Sequence, residues 1–287
     1  MTSRIEYNNP AGNNKLGLSY HYEMISDSLR VTPFKMAILK ACPRKRVLES
    51  GAGSGILSII AAKAGAAHVY ATEIDNNVAK FAQHNIDKNG LSEKITIIKK
   101  DTKKLTLKDI GGEKVDVAIA ENLSTWEVNE PQISIMNHIN KSLIKENGIR
   151  IPEMIYNSIE LAYSQFSFED AIELRTYFFQ FTGILAPKIL SDKMVFSKID
   201  LAIINPVSVD ASIEIPASQD GVVNSIRLTS PLKVLGDITF DQSDSLMPPV
   251  VFPLSSDKKV KKGDMVKVHI SYKYHTDWSA FGVKVTN

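Results

Sequence analysis

Hydrophobic residues in the first half of the chain alternate between two periodicities. The short apolar runs RVLES (46–50) and VDVAIAE (115–121) are typical of buried strands. In GILSIIAAKAGA (55–66) the isoleucines recur at helical spacing, which predicts an amphipathic helix. Because strands and helices alternate throughout residues 46–151, this stretch is predicted to form a parallel, doubly wound α/β sheet.

The pattern changes near Pro152. In VKVHISYKY (266–274) apolar and polar residues alternate with a period of two, which is typical of a strand with one buried face. Proline and glycine separate several runs of this kind, so the second half is predicted to be an antiparallel β-sandwich or barrel. One helix is expected early within it, over residues 168–181.

The chain ahead of the first strand is predicted to be helical over residues 22–41, with a break at Pro33, because proline lacks the N–H that a helix needs. The polar stretch before it lacks the apolar core of a signal peptide and is expected to be an arm. We therefore divide the chain into three parts, residues 1–45, 46–151 and 152–287.

Composition excludes several classes of function. The formal net charge is +2, which is too small to indicate a nucleic acid or a membrane surface as a partner. No segment approaches the roughly 18 apolar residues of a membrane span. The single cysteine, Cys42, excludes an internal disulfide and fits a reducing compartment, so we expect a cytoplasmic protein. No metal site is predicted.

A glycine-rich turn follows the first predicted strand, and Glu73 ends the second. The turn contains Gly51, Gly53 and Gly55, and glycines let a ligand lie against the backbone. An acid at Glu73 can accept hydrogen bonds from two ribose hydroxyls. The glycine spacing does not match that of a nicotinamide site, and Glu49 adds negative charge where a pyrophosphate would lie. S-adenosylmethionine, with a ribose, a sulfonium and no phosphate, fits better.

Two glutamates, Glu121 and Glu130, flank the loop after the fourth predicted strand, nine residues apart. The carboxyl ends of such strands are where ligands bind in doubly wound sheets. Two carboxylates that converge on one pocket repel each other unless a cation lies between them, and guanidinium is a planar cation of matching shape. The pair would polarise the guanidinium and offset its repulsion from a sulfonium methyl. Glu127 in the same loop is interpreted as a solvated neighbour.

The amino-acid tail of S-adenosylmethionine ends in a carboxylate, which requires a cation. Arg30, in the helical segment before the first strand, is the candidate, because a guanidinium can hold a carboxylate through two hydrogen bonds. A segment that covers the cofactor would also bury the reaction and become ordered when the cofactor binds. A surface ion pair is the alternative interpretation of Arg30.

The chain resembles the protein arginine methyltransferases. EMISDSLR (23–30) is similar to the cofactor-covering helix of that family, residues 47–73 to its first two motifs, and VDVAIAENLSTWEVNE (115–130) to its double-glutamate loop. The resemblance implies a Rossmann-like S-adenosylmethionine-binding domain followed by a β-barrel substrate domain. It implies catalytic roles for Glu121 and Glu130. The cofactor-binding residues that we expect are His21, Arg30, Glu49, Gly51, Gly53, Gly55, Glu73 and Asp101.

The chain also departs from the pattern of this family. Ala11 and Lys15 stand where its pocket-lining tyrosines are expected, and Ser245, Leu246 and Met247 replace its Thr-His-Trp loop. The stretch that forms the family's dimerisation arm is short. The polypeptide groove and the arm-mediated dimer of the family are therefore open questions for this chain, and so is its oligomeric state.

Three functions remain from the sequence. The first is an S-adenosylmethionine-dependent methyltransferase that acts on a guanidino group, either of arginine in a peptide or protein or of free arginine. The second is an N- or O-methyltransferase of a small metabolite. The third is a cofactor-binding interaction subunit without catalytic activity.

Overall fold

The computed structural model describes residues 18–169 and 172–286, so Ala11, Lys15 and the predicted N-terminal arm lie outside the described residues. The helices are α1 (Leu18–Ser26), α2 (Ser28–Ala41), α3 (Ile56–Lys63), α4 (Asn76–Lys88) and α5 (Gln132–Ser142). The strands of the first half are β1 (Arg46–Ser50), β2 (His68–Thr72), β3 (Ile95–Ile98), β4 (Val115–Ala120) and β5 (Ile144–Ile151). Those of the second half are β6 (Met154–Tyr163), β7 (Ser167–Phe168), β8 (Ile172–Glu173), β9 (Phe178–Phe179), β10 (Lys188–Ile189), β11 (Met194–Asp200), β12 (Ser208–Pro216), β13 (Gly221–Thr229), β14 (Leu232–Leu235), β15 (Ile238–Phe240), β16 (Val250–Val260), β17 (Met265–Lys273) and β18 (Gly282–Thr286).

The first half contains a parallel sheet with the strand order β3-β2-β1-β4-β5. The strands are short and apolar on both faces because helices cover them, and Leu48 and Ala118 are fully buried neighbours in β1 and β4. The strand order reverses between β1 and β4, which places a crevice at their carboxyl ends. The predicted doubly wound sheet is confirmed.

The second half consists of antiparallel sheets, as predicted. The eight-stranded sheet has β6 and β13 at its centre, and a separate sheet has the order β12-β17-β18. In β17 the buried residues Val266, Val268, Ile270 and Tyr272 alternate with more exposed ones, as the period of two indicates. The predicted fold class, a parallel α/β unit followed by antiparallel β-sheets, is confirmed.

The helix predicted over residues 168–181 is wrong. Ser167–Phe168 pairs with Ile172–Glu173 as a short hairpin, and Phe179 in β9 pairs with Val250 of β16. Phe179 also packs edge-to-face against Trp278, which is buried in the core of the second half. Sheet pairing and aromatic packing, which involve residues distant in sequence, override the local helical spacing.

The helical segment ahead of β1 breaks at Asp27 and not at Pro33. Asp27 caps α2, and its Oδ1 accepts hydrogen bonds from the backbone N–H groups of Leu29 and Arg30. Pro33 lies inside α2, where it removes a single helical hydrogen bond. The strong cap therefore decides where the chain bends.

Cys42 follows α2 as its buried C-cap residue, and burial raises the pKa of its thiol to about 12. Within residues 18–169 and 172–286 no helix combines the length and the apolar composition needed to cross a membrane. Over the same ranges, no group of three or more His, Cys, Asp or Glu side chains could hold a metal ion.

Candidate active site

The glycine turn connects β1 to α3 at the crevice of the parallel sheet. Gly51, Gly53 and Gly55 all have positive φ angles, of 71°, 54° and 83°. Gly53 additionally lies under the ring of His21, since a methyl group on Gly53 would be 3.0 Å from Cε1 of that ring. Both the backbone conformation and the covering helix α1 therefore require glycine at this position.

Glu73 fixes the glycine turn from the end of β2. Its Oε2 accepts a hydrogen bond from the Gly53 N–H at 3.0 Å, and its Oε1 accepts one from the Asp75 N–H at 2.9 Å. Burial, together with the nearby charge of Arg30, lowers the pKa of His21, so the ring over the turn is neutral at neutral pH. The turn is thus held between an acid on one side and a neutral ring on the other.

Glu49 is buried within β1, directly before the turn. The Ser58 hydroxyl donates to its Oε2. Burial, with smaller contributions from the charges of Glu121 and Glu73, raises the pKa of Glu49 to about 8, although hydrogen bonds from Ser58 lower it in part. The mutual repulsion indicates that these three acids share one region of negative potential at the sheet edge.

Arg30 and Glu121 form a bidentate ion pair across the crevice. Arg30 projects from the first turn of α2, and Glu121 directly follows β4. The Arg30 Nε donates to Oε1 of Glu121 at 3.0 Å, and Nη2 donates to Oε2. Both side chains are about nine-tenths buried, with relative exposures of 10% and 8%. Arg30 therefore forms an ion pair, which is the alternative interpretation of this residue, but the pair is buried and not at the surface. Its expected role in cofactor binding stays a prediction.

Glu130 lies at the other end of the same loop and is partly buried. The Ser124 hydroxyl oxygen accepts hydrogen bonds from the backbone N–H groups of Asn129 and Glu130, which fixes the loop at this end. Burial raises the pKa of Glu130 to about 7, and the charge of Glu121 contributes. The two glutamates are thus close enough to interact electrostatically, with Arg30 bound to one of them.

Asp101 lies beyond β3, at the same edge of the sheet. Its Oδ1 accepts a hydrogen bond from the Lys103 N–H, so the carboxylate caps the short helical turn Thr102–Lys104. The hydroxyl of Thr102 is 2.8 Å from that of Ser50 at the end of β1. This contact brings the segment next to the glycine turn, while the carboxylate itself bonds within its own turn.

Glu127 is fully buried, so its interpretation as a solvated residue is wrong. Trp126 and Glu127 adopt left-handed backbone conformations, with φ angles of 56° and 51°. This turns both side chains into the second half of the molecule, where Trp126 joins the aromatic core.

The site also contains a buried acceptor that sequence patterns did not single out. Within the described parts of the chain, Asn122 Oδ1 is buried without a hydrogen-bond partner. Asn122 packs against Gly51 so closely that a methyl group on the glycine would collide with the amide nitrogen. An unsatisfied acceptor beside three acids suits a ligand with a positive centre and N–H or O–H donors. The residues present therefore fit S-adenosylmethionine.

Comparison with known proteins places the chain among methyltransferases. The family model of ribosomal protein L11 methyltransferase (PrmA) matches residues 35–155. An uncharacterized protein of Methanocaldococcus jannaschii is 31% identical over 268 residues, which cover 93% of this chain and 96% of that protein.

Proteins of known activity match a smaller part of the sequence. An arginine N(omega)-methyltransferase of Streptomyces achromogenes is 33% identical over 135 residues, or 46% of this chain, and the alignment spans only 37% of that enzyme. The solved structure of the Trypanosoma brucei PRMT1 enzyme-prozyme complex with AdoHcy has a TM-score of 0.76 at 17% identity. It covers 93% of this chain and 96% of that one. Its fold is thus shared over nearly the whole chain. The protein belongs to one family with the Methanocaldococcus protein, and its sequence and fold are similar to those of arginine-methyltransferase-like, S-adenosylmethionine-dependent methyltransferases.

Proposed function

We propose that this protein transfers a methyl group from S-adenosylmethionine to a guanidino nitrogen of arginine. The observation that carries the proposal is the ion pair of Arg30 and Glu121: the crevice already holds a guanidinium by two hydrogen bonds, with the carboxylate of Glu130 nearby. The activity named for the Streptomyces relative supports the same choice.

Glu121 and Glu130 bind the acceptor guanidinium in this proposal. A carboxylate and a guanidinium can form two parallel charge-assisted hydrogen bonds, which fix the orientation of the planar guanidino group. The negative charge of the pair concentrates the positive charge of the guanidinium on two nitrogens and leaves the third more nucleophilic. Glu130, whose pKa is raised to about 7 by burial and by Glu121, is suited to accept the proton that the methylated nitrogen loses.

The residues around the glycine turn hold the cofactor. When bound, S-adenosylmethionine supplies an electrophilic methyl group on a sulfonium. Glu73 binds the ribose hydroxyls, and the backbone of the glycine turn lies against the ligand. In this proposal Arg30 leaves Glu121 and binds the carboxylate of the amino-acid tail, which frees both oxygens of Glu121 for the acceptor guanidinium. His21 on α1 covers the turn and excludes water from it.

The acceptor is defined by its guanidino group, and arginine in a peptide, arginine in a protein and free arginine all carry it. Near the crevice, the hydroxyl of Ser245 donates to Oδ2 of Asp27 at 2.6 Å. Ser245 belongs to the segment that replaces the Thr-His-Trp loop of the arginine methyltransferases. This contact joins the second half of the molecule to Asp27, the N-cap residue of α2. The residues beside the proposed acceptor site therefore differ from the family pattern.

Mass spectrometry of the methylated products identifies the acceptor. The full chain is incubated with S-adenosylmethionine and a panel of arginine-containing peptides, their lysine-substituted counterparts, and free arginine. We expect methyl groups on arginine side chains or on free arginine, and none on the lysine-substituted peptides. Inhibition of peptide methylation by free arginine would show that both use one site. Methylation of other nitrogen or oxygen acceptors, with no product on any guanidine, would contradict the proposal.

A further inference from the structure

The loop between the two glutamates is anchored into the second half of the molecule at its middle. The backbone N–H of Trp126 donates to Ser230 Oγ at 2.8 Å, and its indole Nε1 donates to two strand carbonyls at 3.2 Å. The hydroxyl of Tyr272 donates to the Trp126 carbonyl at 2.9 Å. The carbonyls of Glu127 and Val128 accept hydrogen bonds from the backbone of the segment after β17. The hydrogen bonds at the middle of the loop thus help to fix the two ends of the loop, which carry Glu121 and Glu130.

The Glu127 side chain is part of this anchor. Its Oε2 accepts a hydrogen bond from Nδ2 of Asn157 in β6 at 3.0 Å, and Asn157 in turn accepts one from the hydroxyl of Ser230. Among the described residues, its Oε1 is buried without a hydrogen-bond partner, and no cation pairs with the carboxyl group. A buried carboxylate without a cation is costly, whereas a neutral carboxylic acid is tolerated.

Among the residues that the structure describes, the groups that face Glu127 are neutral at neutral pH. β6 contributes the amide of Asn157, and β17 and the turn after it contribute Tyr272 and Tyr274. Burial raises the pKa of both tyrosines, and the nearby Glu127 raises each further, so neither is ionised near neutral pH. Burial likewise raises the pKa of Glu127 to about 8. The hydrogen bond from Asn157 and the backbone N–H of Glu127 stabilise its charged form only in part, and neither tyrosine nor amide supplies a positive charge to offset the cost of burial.

We propose that Glu127 is a positioning residue for acceptor binding: as a neutral carboxylic acid it fastens the middle of the loop to β6 and thereby sets the positions of Glu121 and Glu130. This inference rests on the proposed function of the two glutamates. Its chemical consequence is that ionisation of Glu127 loosens the loop. The acceptor then binds less well, while the cofactor site at the glycine turn is unaffected.

The experiment compares the parent with Glu127→Gln and Glu127→Ala at saturating S-adenosylmethionine. Glutamine is isosteric with the neutral acid and keeps an oxygen for Asn157, whereas alanine removes the anchor. The acceptor KM and kcat are measured at pH 7 and pH 9, with cofactor affinity determined by calorimetry. Infrared difference spectra between the parent and Glu127→Gln test the protonation state without any acceptor, through the C=O band of a neutral carboxylic acid.

We expect Glu127→Gln to keep kcat/KM for the acceptor within about twofold of the parent at pH 7. Glu127→Ala should lose up to about a hundredfold, because displacing a binding group by an ångström can cost that much. The KM of the parent should rise between pH 7 and pH 9, and that of Glu127→Gln should rise much less. The neutral-acid band should be present in the parent at pH 7.

Either of two kinetic results would overturn the inference: Glu127→Gln as inactive as Glu130→Gln, or Glu127→Ala with unchanged acceptor kinetics and an unchanged response to pH. Absence of the neutral-acid band at pH 7 would also overturn it. These failures differ from a failure of the proposed function, in which the parent itself methylates no guanidine while the infrared signature of Glu127 remains.

Discussion

The guanidinium of Arg30 lies across the carboxylate of Glu121, with Nε 3.0 Å from Oε1. Two residues that are far apart in sequence thus join helix α2 to the carboxyl end of β4. The pair is mostly buried and lies beside the acidic residues Glu49 and Glu130. The side chain of Arg30 therefore links the proposed cofactor site to the proposed acceptor site.

Removal of Arg30 should affect stability and cofactor binding together. Arg30→Met leaves Glu121 buried without its cation, and breaking a buried pair of this kind costs about 3 kcal/mol. Urea unfolding of Arg30→Met, Glu121→Gln and the double variant gives the coupling energy of the pair, which we expect to exceed about 1 kcal/mol. Calorimetry should show weaker cofactor binding in Arg30→Met. A coupling energy near zero would contradict the role of this pair.

Gly53 and Gly65 offer a matched pair of alanine substitutions. Both have positive φ angles, 54° and 89°, so each alanine should cost about 1–2 kcal/mol of stability. A methyl group on Gly53 would meet the His21 ring, whereas none of the described atoms lies within 4 Å of one on Gly65. Cofactor affinity should fall more than about tenfold, or 1.4 kcal/mol, only in Gly53→Ala. Equal affinities in the two variants would argue against the glycine turn as the cofactor site.

Phenylalanine variants of the two buried tryptophans distinguish the effect of anchoring the loop from the effect of packing alone. The Trp126 indole N–H donates to the carbonyls of Ser158 and Thr229, whereas within the described residues the Trp278 N–H has no partner. Trp126→Phe should therefore lower the free energy of unfolding by about 1–3 kcal/mol, because these hydrogen bonds are lost. Trp126→Phe should also lower acceptor kcat/KM, and Trp278→Phe should not. Steady-state kinetics on both folded variants measures the difference, and equal kinetic losses would count against the anchoring role.

Much of the fold could be predicted because its signals are local. Apolar periodicity marks β1, β4 and β17, and the glycine spacing marks the turn after β1. Glu121 and Glu130 could be located because strand ends and loop lengths are visible in the sequence. The burial of Glu127 could not be predicted, because it depends on a left-handed backbone and on Asn157, thirty residues away. The strands within residues 168–181 likewise depend on partners distant in sequence.

Stability should decrease as the pH rises through the weakly acidic to weakly alkaline range. Burial raises the pKa of Glu49 from 4.5 to about 8, so between these values the folded protein retains a proton that the unfolded chain has lost. The stabilisation is complete below the pKa of Glu49 in the unfolded chain and is lost as the pH rises through its pKa in the folded protein. Between these values the free energy of unfolding should fall by up to about 1.4 kcal/mol per pH unit for each such group. Urea unfolding from pH 5 to pH 9 should show this slope, and Glu49→Gln should reduce it. A slope that is unchanged in the variant would refute the assignment.

The measurement that tests the central claim most directly compares acceptor kcat/KM in Glu121→Gln, Glu130→Gln and Glu160→Gln, with cofactor affinity determined in parallel. Glu160 is the matched control, because it also binds a guanidinium, that of Arg227 at 2.6 Å, but lies within the sheet of the second half. If Glu121 and Glu130 hold the acceptor, their variants should lose at least about a hundredfold in kcat/KM while still binding the cofactor, and Glu160→Gln should keep parental kinetics. Parental kcat/KM in both Glu121→Gln and Glu130→Gln would contradict the account.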